Sequence, residues 1–342
     1  MKMRLLLCAL CSGMVLPASG QLLPSYGGER AGQSAFSFLK NDLNVRSAGM
    51  AGASVALAGD AYSMGQNPAG MASLKQGSFA LSQLGLSGGT QQFGLFVTAP
   101  RKGRDAAWGL AIQHLQTPGF SERTEFQPGG TGYQLYSTQS AVGLSYAQRL
   151  SEQFQLGLTL KGIGEVYTTG SQTGAYSAYT AAADVGFLYT TDVKDLRFAV
   201  VLRNFGGSSA LTGAYQAVGF NRSPLEGLES NTLPTEFAMG LSVIPWKQGT
   251  QHIVLAVQLV HPNDNAENYR IGLEYQMNPR LHMRLGSRLN QRGQTWPMGG
   301  LSYDGGQLGA YGIRVDMAVQ RTDALGWRNT LGLVFKHYPR KP

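Results

Sequence analysis

Hydrophobic and polar residues alternate with a period of two along most of the chain after position 77. In one such stretch the apolar members are Tyr269, Ile271, Leu273, Tyr275 and Met277, and the residues between them are Arg270, Gly272, Glu274 and Gln276. Successive side chains of a β-strand point to opposite faces, whereas a helix would mix the two sets. The pattern therefore predicts strands with one apolar and one polar face.

The alternation divides the chain into about fourteen predicted strands. They lie near 77–87, 91–99, 106–115, 137–149, 153–166, 178–191, 195–205, 235–246, 251–261, 268–277, 280–289, 296–303, 307–320 and 326–338. Most are close to the ~9–11 residues that a tilted strand needs to cross a bilayer. These segments favour an all-β fold.

The lengths of the connections give a second, independent observation. The three longest, near 116–136, 167–177 and 206–234, follow the third, fifth and seventh strands. Short connections follow even strands, at Ser151-Glu152, Asp192-Val193-Lys194, Asn278-Pro279 and Asp304-Gly305-Gly306. Long loops at one end and tight turns at the other are typical of outer-membrane barrels. We therefore predict a fourteen-stranded antiparallel transmembrane β-barrel over residues 76–342.

Composition narrows the class of protein. Charged residues make up 14% of the chain, against about 25% in typical soluble domains, and 46 of the 342 residues are glycine. No stretch after position 20 reaches the roughly 18 consecutive apolar residues of a transmembrane helix. This leaves a secreted β-protein or a membrane barrel.

In a membrane barrel the polar faces of the strands line the lumen. The expected lumen charges are Arg270, Glu274, Arg284, Arg288, Arg314 and Asp316. They would line the lumen as ladders of mixed sign. The simpler interpretation is that these charges only solvate and brace the wall.

The first twenty residues resemble a secretory signal peptide. Lys2 and Arg4 precede an apolar run over 5–16 and the small residues Ala18, Ser19 and Gly20. An anchor helix and a lipoprotein site at Cys11 are the alternatives. Cleavage before Gln21 would remove both cysteines and leave 26 basic and 20 acidic residues, scattered rather than clustered. We expect export to the outer membrane and no binding to nucleic acid.

Residues 21–75 differ from the strands and are predicted to form a plug inside the barrel. The stretch 46–74 is rich in glycine and alanine, which allow close packing in a confined lumen. Asp60 is suited to cap a short helix over 61–66. Asn67 can cap another that has Pro68 at its first position. The alternative is an additional strand and turn outside the barrel.

Several segments resemble the PorV/PorQ family of Bacteroidetes outer-membrane proteins, which are relatives of FadL-type fatty-acid channels. They are "FSFL…RSAGMAGASVALAGDAYSMGQNPAGMASL", "VVLRNFGG" at 200–207, "LPTEFAMGLSV" at 233–243 and "HPNDNAENYRIGLEY" at 261–275. The resemblance implies a fourteen-stranded barrel with an N-terminal plug. It also implies a role in type IX secretion or cell-surface attachment, with other secretion components or secreted cargo proteins as partners. The wider FadL relationship implies the alternative, a channel for hydrophobic small molecules.

The sequence gives little support to an enzyme. None of the five histidines has metal-ligand spacing, and no G-x-S-x-G motif is present. We expect no catalytic residue, metal or cofactor, because "HPNDN" at 261–265 is better explained as a turn than as a calcium site. The long connection 206–235 carries the candidate partner-binding residues Tyr215, Phe220, Leu225 and Leu228, which could otherwise fold down over the lumen.

Overall fold

Fourteen long strands in the described part of the chain form one closed antiparallel sheet. The structure is a computed structural model that describes residues 31–123, 125–169, 176–215 and 226–338. The predicted signal peptide and the predicted start at Gln21 lie outside these residues. The strands are β1 Ser78–Gly85, β2 Gln91–Pro100, β3 Ala106–Gln116, β4 Gln134–Arg149, β5 Phe154–Thr169, β6 Tyr176–Thr190, β7 Arg197–Gly206, β8 Glu236–Gln248, β9 Gln251–Pro262, β10 Asn268–Gln276, β11 Leu281–Leu289, β12 Met298–Leu308, β13 Tyr311–Thr322 and β14 Gly326–His337.

Each strand pairs with its neighbours in sequence, and β14 closes the ring against β1. The closing register joins Ser78 to Lys336 and Gly85 to Asn329. Because a ring has no unpaired edge, every strand satisfies its backbone hydrogen bonds within the sheet. The predicted fourteen-stranded antiparallel barrel is therefore confirmed.

The connections divide the barrel into two ends. Those that follow even strands are short and define the short-turn end. Those that follow odd strands define the long-loop end, which includes the connections from β3 to β4 and from β7 to β8. Outside the long strands, Phe120–Ser121 extends the edge of β4, and Ala214–Tyr215 pairs with Glu226–Gly227.

The predicted turn at Asp304-Gly305-Gly306 is wrong. β12 runs on to Leu308, and the register shifts by one residue between Asp304 and Gln307. The glycine pair therefore forms a β-bulge, with Gly306 at a positive φ of 81°. The same left-handed residue suits a bulge and a turn, so the local sequence does not separate them.

The two faces of the sheet differ in polarity, and the apolar face is outside. Large exposed side chains on the outer face include Leu81, Phe93, Leu110, Leu144, Leu160, Leu241, Val257, Ile271, Leu285, Leu301, Met317 and Leu331. Buried polar side chains on the inner face include Gln92, Ser145, Thr159, Asp184, Gln258, Arg270, Glu274, Arg284 and Asp316. A soluble barrel has the opposite arrangement, with its apolar side chains inside and its polar side chains outside.

The plug, described over residues 31–75, occupies the lumen. It contains a 3₁₀ turn at Ser37–Lys40, helices α1 Val45–Gly49 and α2 Ser63–Gln66, and a second 3₁₀ turn at Pro68–Ser73. The second helix is shorter than the predicted span 61–66. The predicted plug of short helices and turns is confirmed. Among the described residues there is no helix with the length and apolarity needed to cross a membrane.

Candidate functional site: the plugged lumen

Wall glycines allow the plug to approach the inner face of the barrel closely. A Cβ atom placed on Gly272 would lie 2.7 Å from Cβ of Met50, and one on Gly240 would lie 2.6 Å from Cγ2 of Val55. Real Cβ atoms essentially never approach other atoms so closely, so a side chain at either position would force the plug or the wall to shift. Further glycines that the plug covers in this way are Gly109, Gly157, Gly186, Gly286 and Gly332. The small residues of the plug thus meet equally small positions in the wall.

Asn67 and Pro68 fix the plug to β6. The Asn67 side-chain oxygen accepts a hydrogen bond from the backbone N–H of Ala69 at 3.0 Å, in the capping arrangement that the sequence predicts. The Asn67 amide nitrogen donates to the backbone carbonyl of Val55 at 2.9 Å and to that of Phe187, in the wall, at 3.0 Å. Pro68 begins the following turn, where its missing N–H costs nothing.

Arg46 and Asp60 join the plug to the charged side chains of the wall. The Arg46 guanidinium donates to both oxygens of Glu274, at 2.9 and 2.6 Å. The Asp60 carboxylate accepts from Arg314 at 2.7 Å and from the backbone N–H of Tyr62 at 3.2 Å. Burial opposes ionisation of Asp60, but Arg314 and Arg46 outweigh it and lower the pKa of Asp60 to about 2. The carboxylate is therefore charged at neutral pH.

These two contacts are the ends of one continuous series of ion pairs and hydrogen bonds. Glu274 also accepts from Arg284 at 2.6 Å, and Arg284 donates to Ser302. Ser302 in turn donates to Asp316, which accepts from Arg314 at 3.0 Å. We call the route Arg46–Glu274–Arg284–Ser302–Asp316–Arg314–Asp60 the ion-pair chain. It begins and ends in the plug, and four of the six expected lumen charges belong to it.

The other two expected lumen charges, Arg270 and Arg288, lie nearer the long-loop end. A nitrogen of Arg270 is 3.6 Å from Glu236, whose carboxylate also pairs with Arg203. Arg288 donates to the backbone carbonyl of Ala51 at 2.7 Å. It also donates to the side chain of Gln294. All six residues thus face the lumen and pair with the plug or with other side chains of the wall.

The plug packs on several apolar parts of the wall, and its N-terminal part covers one of them. Phe36 and Phe38 are each 2% exposed. They pack on an apolar patch formed by Leu115 of β3, Ala141 of β4, Ile163 of β5, Ala178 and Ala182 of β6, and Leu233. Phe36 has a φ of 51°, in the left-handed region that costs a non-glycine residue about 1–2 kcal/mol. Neither residue stands out in the hydrophobic pattern, although both belong to the segment "FSFL" that carries part of the family resemblance.

Asp264 holds the same N-terminal part of the plug at the long-loop end. Its carboxylate accepts from the Lys40 ammonium at 2.7 Å and from the Ser34 hydroxyl. The loop "HPNDN", considered above as a turn or a calcium site, therefore contributes a contact to the plug. Its partners could not be inferred from the sequence because they lie more than 200 positions away.

The candidate partner-binding residues are only partly described. Phe220 and Leu225 lie outside the described residues, and for Tyr215 the backbone alone is described. Leu228 is half-buried and lines a cavity of about 350 Å³ together with Phe36 and Leu211. The structure thus brings Leu228 towards the chain's own plug.

Three other residues of the lumen contacts were missed by the sequence analysis. Arg203 and Glu236 lie at the facing ends of β7 and β8 and pair across the strands. Arg46 begins the stretch rich in glycine and alanine, and it is the only basic residue between positions 46 and 74. An isolated arginine in a segment predicted to be enclosed is a signal that a carboxylate must face it.

Comparison with solved structures finds similar barrels. The toluene transporter TbuX of Ralstonia pickettii matches with a TM-score of 0.59 and 14% identity, over 87% of this chain and 100% of that one. The toluene transporter TodX of Pseudomonas putida matches at 0.56 and 11%, over 85% and 96% of the two chains. A FadL homologue of Pseudomonas aeruginosa matches at 0.50 and 11%, over 93% and 98%. The sequence matches no protein-family model and no curated protein. At these identities the likeness shows a shared fold.

Proposed function

We propose that the protein is an outer-membrane channel for hydrophobic small molecules, closed by its plug. The apolar outer face supports a membrane location. Exposed leucine, valine, isoleucine and phenylalanine side chains surround a ring whose inner face is polar. A bilayer requires this arrangement, since lipid contacts the outer face and cannot satisfy an open edge.

The observation that carries the proposal is the apolar patch occupied by Phe36 and Phe38. Two aromatic rings fill a pocket lined by leucine, isoleucine and alanine side chains, and this pocket lies towards the long-loop end of the lumen. An apolar pocket that loses its own side chains can bind a small hydrocarbon of similar shape. The toluene transporters with this fold make an aromatic hydrocarbon the first candidate ligand.

The backbone conformation of Phe36 favours release of this segment from the patch. Its left-handed conformation stores strain, which release of the segment would remove. The segment is held by the Lys40–Asp264 ion pair and by a hydrogen bond from Ala35 to Thr232, both at the long-loop end. A hydrocarbon that enters from that end would therefore meet the rings of Phe36 and Phe38 before the rest of the plug.

Uptake of radiolabelled toluene by cells whose outer membrane contains the protein tests this function. We expect the double variant Phe36→Ala/Phe38→Ala to take up toluene faster than the unaltered protein, because the pocket is no longer filled. Phe79→Ala is the matched control, since Phe79 lies on the outer face, 36% exposed. Equal rates in cells with and without the protein would contradict the proposal.

A second candidate is the secretion role that the PorV/PorQ resemblance implies, with protein partners bound at the long-loop end. Exposed aromatic side chains in the connection from β3 to β4 favour it. Phe126 is 91% exposed, and Phe120 and Tyr133 are about half exposed. Exposed aromatic residues are frequent anchors of protein interfaces. Toluene uptake that does not depend on the protein, together with recovery of proteins bound to it, would favour this role.

A further inference from the structure

A polar cavity lies across the lumen from the apolar patch. It has a volume of about 290 Å³ and is enclosed by the N-terminal part of the plug and by strands that include β10, β11 and β14. Its uncharged lining is mainly amide and hydroxyl, from Asn41, Asn268, Gln291, Gln294, Gln320 and Thr330. Such a lining suits a hydrophilic ligand rather than a hydrocarbon.

Positive charge is in excess around this cavity. Its cations are Lys40, Arg270, Arg288 and Arg328, and its anions are Asp42, Glu236 and Asp264. Lys40 pairs with Asp264, and Arg270 shares Glu236 with Arg203. Asp42 accepts hydrogen bonds from Gln66 at 2.8 Å and from Ser47. Among the described residues, no carboxylate lies within 4.0 Å of Arg288 or Arg328.

The side chain of Arg328 has no partner in the part of the chain that the structure describes. The backbone of Arg328 pairs with Gln320 in the sheet, but no hydrogen bond or ion pair joins its side chain to another described residue, and its Nε atom is buried. The residue as a whole is half-buried, so the cost falls on the shielded Nε–H, which lacks an acceptor. The charges of Arg270 and Arg328 oppose that of Arg288, whereas those of Asp42 and Glu236 favour it. A further anion in the cavity would add to the second effect.

A second buried atom that lines the cavity also lacks a partner. Asp264 is 3% exposed, and its Oδ1 accepts no hydrogen bond among the described residues. A ligand that satisfies both Arg328 and Asp264 must offer acceptor oxygens and a hydroxyl donor. Hydrogen phosphate has both, and its oxygens match the donor fork of a guanidinium group.

We propose that this cavity binds inorganic phosphate, with Arg288 and Arg328 as its cationic ligands. The Asp264 carboxylate accepts the hydrogen bond of the phosphate hydroxyl. The site is separate from the apolar patch, and it does not depend on whether that patch admits a hydrocarbon.

Equilibrium dialysis of the purified barrel with radiolabelled phosphate at low ionic strength tests the site. We expect saturable binding to the unaltered protein and at least about tenfold weaker binding to Arg328→Gln, because a charged hydrogen-bond donor is lost. Arg328→Gln breaks no contact within the described chain, so heat-modifiable migration on gels should be unchanged. Arg328→Lys, which keeps the charge without the fork, should bind with intermediate affinity.

Arg321→Gln is the matched control, because Arg321 lies on the same pair of strands and stacks on Trp296 outside the cavity. It should bind phosphate as the unaltered protein does. Sulfate, which carries no hydroxyl at neutral pH, should compete weakly. Absence of saturable phosphate binding, equal binding by Arg328→Gln, or equal competition by sulfate would overturn the proposal. None of these outcomes alters the toluene experiment.

Discussion

At the scale of single residues, some features of the lumen can be predicted from the local sequence, whereas others depend on residues that are far apart in the chain. Alternation along β10 shows that Arg270 and Glu274 share a face, because a strand has a period of two. The same pattern cannot show that Glu274 meets Arg46, which lies 228 positions away. The wall side of the ion-pair chain could therefore be predicted, whereas its ends in the plug could not.

The central position of Glu274 in the ion-pair chain leads to a stability prediction. Glu274→Gln removes the carboxylate that pairs with both Arg46 and Arg284, and it leaves two enclosed cations without their anion. Breaking a buried pair in this way costs about 3–5 kcal/mol. We expect a loss of that order in the free energy of unfolding, measured by urea titration in detergent. Glu152→Gln, in an exposed turn, should change it little, and an equally small loss at Glu274 would contradict the argument.

At the scale of elements, the plug and the strands are complementary in size. Alternation and composition predict the strands and the plug separately, but they do not identify which wall glycines the plug covers. Gly143 and Gly272 both face the lumen, yet a Cβ on Gly143 would meet Thr159 of the wall, whereas one on Gly272 would meet Met50 of the plug. Gly162 faces outward, and a Cβ on it would meet nothing within 4 Å. The prediction of a turn at Gly305-Gly306 was wrong for a similar reason. A left-handed glycine suits both a turn and a bulge, and only the pairing of β12 with β13 distinguishes them.

Gly272, which faces the plug, and Gly162, which faces outward, give a pair of variants with the same substitution. Gly272→Val should displace the plug, because its Cβ would lie 2.7 Å from Cβ and 2.9 Å from the carbonyl oxygen of Met50. Overpacking of this kind costs about 1–3 kcal/mol. We expect faster cleavage by trypsin after Arg46, followed by mass spectrometry of the folded protein. Gly162→Val should be cleaved at the unaltered rate, and equal rates for both variants would show that the plug tolerates the added side chain.

At the scale of the whole molecule, the number of strands and the two ends of the barrel follow from the sequence. Both depend on local signals, which are alternation within strands and turn residues between them. The contents of the lumen depend on contacts between the plug and strands far along the chain. The apolar patch and the polar cavity could not be predicted for that reason.

Fourteen strands enclose a lumen too wide for their own side chains to fill. Deletion of residues 46–74 should therefore leave a barrel that inserts into membranes and conducts ions, while the intact protein stays closed. Planar-bilayer recordings compare the two. The exposed ends of the ion-pair chain would be hydrated in the deleted protein, so insertion should survive. Porin-like conductance of the intact protein would show that the plug does not seal the lumen.

The pairing of Ser78 with Lys336 imposes an order on assembly. The first and last strands meet only after the intervening chain has been synthesised and arranged, so closure carries the entropic cost of a long loop. The partners of Arg46 and Asp60 lie in β10 and β13, among the late strands. The plug is therefore synthesised before all fourteen strands, and Arg46 and Asp60 can form their ion pairs only after β10 and β13 have been synthesised. The plug lies within the curving sheet when the seam between β1 and β14 forms, or it enters afterwards through an open end of the barrel, because the finished wall has no gap.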